Sequence, residues 1–287
     1  MGRNYQLGLY EKSMPHSLML DEKLEITKAS GFDFLEISID ETDKKLSRLN
    51  WSREKRMELV NTALSVGVPI GSMCLSGHRK YPLGSLDAAV RQKSLIIMAQ
   101  AIELACDLGI RMIQLAGYDV YYEKSSHRTR GFFRENLAKS VEMAAKSGVI
   151  LAFETMETPF LDTVKKAMHY IEEIHSPYLQ AYPDLGNLTN AALLYGHSVT
   201  EDLQAGCGHI AALHLKETAP GKYRDLAPGS GHVDFQEGVE TAWRLGVRRF
   251  VCEIWDNGDY LAQIEHTYRF MRNLLNQTEK GEAWTCT

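Results

Sequence analysis

Short apolar runs and amphipathic segments alternate along the whole chain. Each of eight apolar runs resembles a buried strand, and segments with the 3.6-residue spacing of a helix separate them. The runs are residues 6–10, 32–39, 68–76, 111–117, 149–155, 179–186, 210–217 and 249–255. Strands that are apolar throughout are typical of a parallel sheet covered by helices.

The polar residues between the runs predict where helices begin and end. Ser52 is expected to cap one helix, and Ser85 is expected to open a longer one. A further helix is predicted within 162–174, whereas the pattern near 190–207 is the least clear. Glycine follows six of the helical segments, as expected where a helix ends with positive φ. These glycines are Gly31, Gly67, Gly109, Gly148, Gly208 and Gly246.

Eight strand–helix units predict an α/β fold, a single (β/α)₈ TIM barrel spanning residues 1–287 as one domain. The alternative is an open, doubly wound sheet, which usually has fewer units and often a glycine-rich loop after its first strand. Here Tyr10-Glu11-Lys12 follows the first run, without that motif. The tail at 281–287 is predicted to be peripheral.

Composition narrows the classes of function. The chain has 287 residues and a net charge of −5, with no basic run, which argues against nucleic-acid or anionic-membrane binding. No apolar stretch reaches the length of about 18 residues that a membrane helix needs. Five cysteines without a C-x-x-C pair argue against a disulfide framework. Together with an N-terminus lacking a signal-peptide core, this predicts a cytoplasmic protein.

Polar residues interrupt the last four apolar runs at similar depth. They are Glu154, Asp184, His214 and Glu253. In a barrel of this type the chemistry lies at the carboxyl ends of the strands. Burying three unpaired carboxylates together is costly, because each loses its hydration and they repel each other. A divalent cation removes both problems, so these four residues predict a site for Mn²⁺, Mg²⁺, Co²⁺ or Zn²⁺.

Each ligand candidate also has an ordinary structural interpretation. A single carboxylate at a strand end is commonly a cap or an ion-pair partner, and a single His214 is commonly a hydrogen-bonded core residue. Lys216 lies two residues after His214 and shares its face of the strand. It could therefore pair with a carboxylate and remove the need for a metal. Leu213 and Leu215 are expected to face the helices.

Further polar residues near strand ends are candidates for binding substrate. The cations among them, with Lys222, could hold a phosphate, and backbone amides at 229–231 could do the same. The alternative for each is a solvated loop residue. The substrate-binding candidates are Glu36, His78, Arg79, Gln114, Lys216 and Arg224.

Several long segments resemble the sugar-phosphate 3-epimerases of the xylose isomerase-like barrel superfamily. The segments are LGLYEK (7–12), 31–56, SMCLSGHRKYPLGS (72–85), IQLAGYDVYYE (113–123), YPDLGNL (182–188), HLKET (214–218) and GSGHVDF (229–235). The resemblance implies a single barrel that is often a homodimer. It also implies a divalent metal on the four ligand candidates, with Glu154 and Glu253 as the acid/base pair.

The activity implied by this resemblance is 3-epimerisation of L-xylulose 5-phosphate and L-ribulose 5-phosphate through an enediolate, in L-ascorbate or related pentose breakdown. Epimerases of unphosphorylated ketoses carry Glu, His and Arg where this chain has Phe160, Asn187 and Pro220. These differences favour a phosphorylated pentulose.

Three other functions are compatible with a barrel of this kind. The first is an aldose–ketose isomerase of the hexulose-6-phosphate type. The second is a repair endonuclease, which would need a richer histidine cluster and a basic face. The third is a sugar-binding barrel without activity, which would need a broken ligand set, whereas all four ligand candidates are present.

Overall fold

Eight strands alternate with helices in the computed structural model, which describes residues 3–256 and 258–281. The strands are β1 (Gln6–Tyr10), β2 (Phe34–Ile39), β3 (Ile70–Leu75), β4 (Met112–Ala116), β5 (Ile150–Glu154), β6 (Leu179–Ala181), β7 (Leu213–Leu215) and β8 (Arg249–Cys252). All eight predicted strands are confirmed, with shorter bounds. Apart from Gly281, the tail predicted to be peripheral lies outside the described residues.

The helices cover the outside of the sheet. They are α1 (Leu20–Ala29), α2 (Asp43–Leu46), α3 (Arg53–Val66), α4 (Ala88–Asp107), α5 (His127–Ser147), α6 (Val164–Ile174), α7 (Leu185–Tyr195), α8 (Val199–Gln204), α9 (Phe235–Arg244) and α10 (Tyr260–Lys280). Short 3₁₀ turns follow β1, α2 and β3. Within the described residues, no helix combines the length and apolarity needed to cross a membrane.

The parallel strands close into a barrel. Each strand from β1 to β6 pairs with its neighbour in sequence, β1 also pairs with β8, and β8 pairs with β7. The last joint, between β6 and β7, consists of isolated bridges from Ala181 to Ile210 and from Asp184 to His214. The predicted (β/α)₈ barrel is therefore confirmed.

The two faces of the sheet bury different sets of residues. Leu213 and Leu215 belong to the large apolar core that includes residues of the surrounding helices. Ala212 belongs instead to a smaller interior cluster with residues such as Phe34 and Val251. The faces predicted for Leu213 and Leu215 are thus confirmed, and His214 lies on the interior side, whereas Ala211 packs against the interior cluster and does not follow the alternation.

Most predicted helix boundaries agree with the structure, and one does not. The Ser52 hydroxyl accepts from the Lys55 amide, which starts α3 as predicted. Ser85 does not cap α4, because its hydroxyl donates to Glu123 at 2.6 Å. Asp87 is the cap, and it accepts from the Ala89 amide at 2.8 Å. All six glycines predicted at helix ends have positive φ.

The unclear region near 190–207 contains parts of two helices, α7 and α8, with Gly196 at positive φ between them. The sixth strand is also shorter than the apolar run predicted, since α7 begins directly after Asp184. The Asp184 carboxylate caps this helix by accepting from the Asn187 amide at 2.6 Å. A predicted metal ligand is therefore held in place by the start of a helix.

Candidate metal and active site

The last four strands bring the four predicted ligands together at one end of the barrel. Glu154 ends β5, Asp184 follows β6, His214 lies in β7, and Glu253 directly follows β8. One ligand atom from each lies within 4.8 Å of the others, and all four residues are buried. The fold therefore places these residues where a single ion could contact all of them.

His214 presents a different nitrogen to each side. Nδ1 lies 3.3 Å from Glu253 Oε2, 3.6 Å from Glu154 Oε1 and 4.0 Å from Asp184 Oδ2. Nε2 lies 2.7 Å from Glu36 Oε1, on the other side of the ring. Glu36 therefore holds the imidazole so that Nδ1 faces the three carboxylates.

The chemistry of these donors fits a divalent cation. Asp184 Oδ2 and Glu253 Oε2 are buried and have no hydrogen-bond partner among the described residues. Glu253 Oε2 still has Lys216 Nζ at 3.2 Å as an ion-pair partner, whereas the nearest cationic group to Asp184 Oδ2 is His214 Nδ1 at 4.0 Å. Buried polar atoms are nearly always paired, so Asp184 Oδ2 indicates a missing partner. Three carboxylates and one imidazole match the ligand preferences of Mn²⁺, Mg²⁺, Co²⁺ and Zn²⁺.

Lys216 neutralises part of the negative charge. Its Nζ lies 3.2 Å from Asp184 Oδ1 and 3.2 Å from Glu253 Oε2, and its side chain is buried. The structure thus shows the pairing that the sequence left open. One ammonium balances only one of the three carboxylates, so this pairing leaves room for a cation.

The pKa values of the two glutamates shift in opposite directions. Burial raises the pKa of Glu154, and the charge of Glu253 raises it further. Burial alone would raise the pKa of Glu253 too, but Lys216 and His214 outweigh it and lower that pKa. Burial also raises the pKa of Asp184 well above its usual value. Carboxyl groups whose pKa values are pushed apart are a common feature of acid/base pairs.

Two of the predicted substrate-binding residues lie beneath the ligand set. Glu36 is fully buried, and its Oε2 accepts from Ser72 Oγ at 2.7 Å and from Tyr182 OH at 3.0 Å. Gln114 is also buried, with Nε2 3.2 Å from both ring nitrogens of His214. Both oxygens of Glu36 are thus occupied by protein donors, and its role in binding substrate stays a prediction.

His78 is not the cation that the sequence suggested. It is buried, and its Nε2 lies 3.1 Å from the Ser94 carbonyl oxygen. Burial lowers the pKa of His78 to about 4, so the ring is neutral at pH 7. Arg79 keeps its charge and lies over the ring of Tyr121, with Cζ 4.5 Å from the ring centre.

Arg224 lies at the mouth of the barrel, exposed, in the loop after β7. Its Cζ is 5.2 Å from the ring centre of Trp255, and Lys216 Nζ is 5.8 Å from the same centre. Trp255 therefore connects this exposed cation to the buried ligand set. Among the described residues, Arg79, Lys222 and Arg224 form no ion pair with a carboxylate, whereas Lys216 pairs with Asp184 and Glu253.

The glycine loop at 229–231 is already anchored by a carboxylate that the sequence analysis missed. Glu217 is buried and accepts from the backbone amides of Thr218, Gly229 and Val233. The Gly229 amide is thus not available to a phosphate as predicted. The only sequence signal for this role is a second charged residue directly after Lys216 in an apolar run.

The chain is similar in sequence to a known family and to several curated proteins. The family model for the xylose isomerase-like TIM barrel matches residues 24–274. L-ribulose-5-phosphate 3-epimerase UlaE of Escherichia coli (strain K12) is 47% identical over 256 residues, which is 89% of each chain. The corresponding protein of Shigella boydii serotype 18 is 46% identical over the same length.

Solved structures agree on the fold. A structure of L-ribulose 3-epimerase superposes with a TM-score of 0.78 at 19% identity, covering 96% of each chain. D-psicose 3-epimerase with D-fructose gives 0.76 at 15% identity, covering 96% of this chain and 98% of that one. With these relatives and the barrel described above, the chain belongs to the xylose isomerase-like TIM barrel family and is an isomerase of the carbohydrate epimerase class.

Proposed function

We propose that this chain interconverts L-ribulose 5-phosphate and L-xylulose 5-phosphate by epimerisation at C3, using a bound divalent cation. The observation that carries the proposal is the pair Glu154 and Glu253. Both are buried, and together with Asp184 and His214 they bring one ligand atom each within 4.8 Å of one another. The 47% identical relative is named for the same substrate class, which supports the choice of sugar.

Glu154, Asp184, His214 and Glu253 would hold the cation. When bound, a divalent ion supplies Lewis-acid stabilisation of negative charge developing on the substrate oxygens. Lys216 adds a fixed positive charge beside the same place, 3.2 Å from Asp184 and Glu253. This buried ammonium needs no reorientation during the reaction, which makes it effective for electrostatic stabilisation.

The two glutamates would carry the proton. Epimerisation removes the C3 proton, which is acidic because it lies next to the C2 carbonyl, and yields an enediolate. A proton is then returned to the opposite face of C3. A two-base mechanism needs one carboxylate that is ionised and one that holds a proton. Glu154 and Glu253, the two glutamates of the ligand set, would take these two roles.

Two neighbouring side chains favour a phosphorylated sugar over a free one. Asn187 Nδ2 donates to the Thr155 carbonyl oxygen at 2.7 Å, so this residue braces the backbone after β5. Phe160 packs edge-on against Phe133 at 5.1 Å between ring centres. Neither offers the carboxylate or imidazole that the epimerases of unphosphorylated ketoses carry at these positions. We infer that Arg224, beside Trp255 at the mouth, binds the phosphate.

Isotope exchange tests this function directly. L-ribulose 5-phosphate is incubated with the metal-loaded protein in D₂O, and the sugars are followed by NMR. We expect L-xylulose 5-phosphate carrying deuterium at C3. Deuterium at C1 together with an aldose product would instead support the aldose–ketose isomerase, and the proposal would be abandoned.

Glu36 offers a second prediction, because it orients His214 from below. The substitution Glu36→Gln keeps the shape but removes the charge that attracts the Nε2 proton. Loss of such a partner typically weakens metal binding about 10- to 100-fold. Isothermal titration of the metal-free protein with Mn²⁺ measures this. Glu41→Gln, at a carboxylate that accepts from the exposed Tyr122 hydroxyl, is the control. If Glu36→Gln and Glu41→Gln bound Mn²⁺ with equal affinity, Glu36 would not have the role of positioning His214.

A further inference from the structure

A cavity lies on the outside of the barrel, between residues of helices α1 and α3. It has a volume of about 540 Å³ and is lined by residues of both helices and of the segment between β2 and α3. None of the four candidate metal ligands lines it. Its volume falls in the range of small-molecule sites.

Three buried cations form the floor of this cavity around one carboxylate. Lys23, Lys45 and Arg48 are each more than nine-tenths buried, and Glu11 is fully buried. Arg48 Nη1 lies 2.5 Å from Glu11 Oε2, and Lys45 Nζ contacts Glu11 Oε1. Lys23 Nζ is 3.9 Å from Glu11 Oε1 and donates to the Glu11 carbonyl oxygen at 2.9 Å. With all three cations protonated, the floor carries two more positive charges than negative ones; burial and the nearby Arg48 lower the pKa of Lys45 to about 7, so an anion would also favour its charged form.

The other charged groups around the cavity do not correct this imbalance. Lys12, close by, pairs with the lining residue Asp40 at 2.7 Å. The remaining lining charges are two lysines and two carboxylates, so they cancel. They are Lys44, Lys55, Asp21 and Glu58. Asp256, outside the lining, raises the pKa of Lys23 and so offsets part of the excess, but burial and Arg48 outweigh it. A net positive charge therefore stays with the buried floor.

An unbalanced buried charge is costly, because it loses hydration without gaining a partner. Burial and the nearby Arg48 lower the pKa of Lys23 to about 8, which is the expected response of an ammonium short of counter-charge. Lys23 Nζ also donates to the Met14 carbonyl oxygen at 3.4 Å, and Arg48 Nη1 donates to the Ser38 carbonyl oxygen at 3.2 Å. A guanidinium has five N–H groups and an ammonium three, so donors remain beyond these bonds. An anion in the cavity would supply both the charge and the acceptors.

The walls above this floor are apolar. Leu20 and Leu59 are buried there, and the half-buried ring of Trp51 forms one side. Lys55 Nζ and Arg48 Cζ lie 4.8 Å and 5.7 Å from the Trp51 ring centre. A flat apolar group beside these cations would pack against the tryptophan, which a bare inorganic anion could not do.

We propose that this cavity binds a small organic oxyanion, a phosphate ester or a carboxylate with an apolar or aromatic body. The anionic group lies against Lys23, Lys45 and Arg48, and the body lies along Trp51. The site is separate from the epimerase site and does not depend on it.

Calorimetric titration of the metal-loaded protein with phenyl phosphate, benzoate and phenol tests the proposal. We expect at least one of the two anions to bind and neutral phenol not to bind, and the stronger anion identifies the ligand class. Lys45→Met should weaken anion binding about tenfold or more, since it removes one cation and leaves Glu11 with Arg48 and Lys23. Lys44→Met is the matched control, because its Nζ bonds the His16 carbonyl oxygen at the rim; it should change little.

A second variant avoids the ion cluster. Trp51→Ala should weaken binding of the aromatic anions more than that of inorganic phosphate. Arg224→Met reports any binding of phenyl phosphate at the epimerase site, where Lys45→Met should have no effect. Absence of anion binding in the unmodified protein overturns the proposal. So does binding that neither Lys45→Met nor Trp51→Ala weakens.

Discussion

Replacing Glu154 or Glu253 by glutamine is expected to lower kcat for C3 epimerisation by about 10² to 10⁴-fold, the usual contribution of a positioned acid or base. Glutamine has the same shape but can neither take the C3 proton nor return it. Both residues are buried in one ligand set. Because glutamine preserves the shape there, the substitution alters only the charge of the side chain and its ability to transfer a proton. Steady-state kinetics of each variant, with saturating metal, measures the effect.

A control and an exchange measurement separate loss of a base from loss of the metal. Glu157→Gln, three residues after Glu154 and outside the ligand set, should keep its activity. In each active-site variant the remaining glutamate should still exchange the C3 proton of one epimer with solvent. Exchange of the C3 proton in only one epimer, without net epimerisation, supports a mechanism with two bases. Full turnover in either variant contradicts the two-base mechanism.

Removing divalent cations is expected to abolish turnover and to lower the melting temperature by about 5 to 10 °C. A ligand present at 100 times its Kd adds about 2.7 kcal/mol to the folded state. In a domain of this size each kcal/mol corresponds to about 2 to 4 °C. The stabilisation arises because the cation neutralises the three buried carboxylates near His214. Calorimetric scans with chelator and with added Mn²⁺ measure the shift.

Asp184→Asn provides the matched control for the metal effect. Asparagine caps helices as well as aspartate does, so the start of α7 should be preserved. The charge on one ligand is lost, and the variant should show a much smaller metal-dependent shift in melting temperature. A chelated protein that keeps its activity, or a full shift in the variant, would refute the ligand assignment.

The sequence predicted the barrel and its ligand set because both arise from local patterns repeated along the chain. Each strand is an apolar run, and Glu154, Asp184, His214 and Glu253 interrupt four such runs at the same depth. In a closed barrel of parallel strands, the carboxyl ends of all strands lie at the same end of the barrel. The meeting of these four side chains therefore follows from the fold.

The remaining contacts depend on partners distant in sequence. Glu36 and His214 are separated by 178 positions, and no local pattern connects them. Ser85 and Asp87 can both cap a helix, and the choice is decided by Glu123, which accepts from the Ser85 hydroxyl. His78 lies in a polar stretch typical of a solvated loop, but it is buried against Ser94 of α4. The predicted homodimer stays a prediction.

The barrel closes between β6 and β7 through isolated bridges. The bridge from Asp184 to His214 is part of that joint, and both residues belong to the ligand set. The other neighbouring strands are joined by ladders of at least three residue pairs, with one shift of register between β2 and β3 at Leu35 and Glu36. A cation bound by both side chains would therefore link β6 and β7 where the barrel has the fewest strand contacts. Binding of the metal and closure of the barrel would then be one coupled equilibrium.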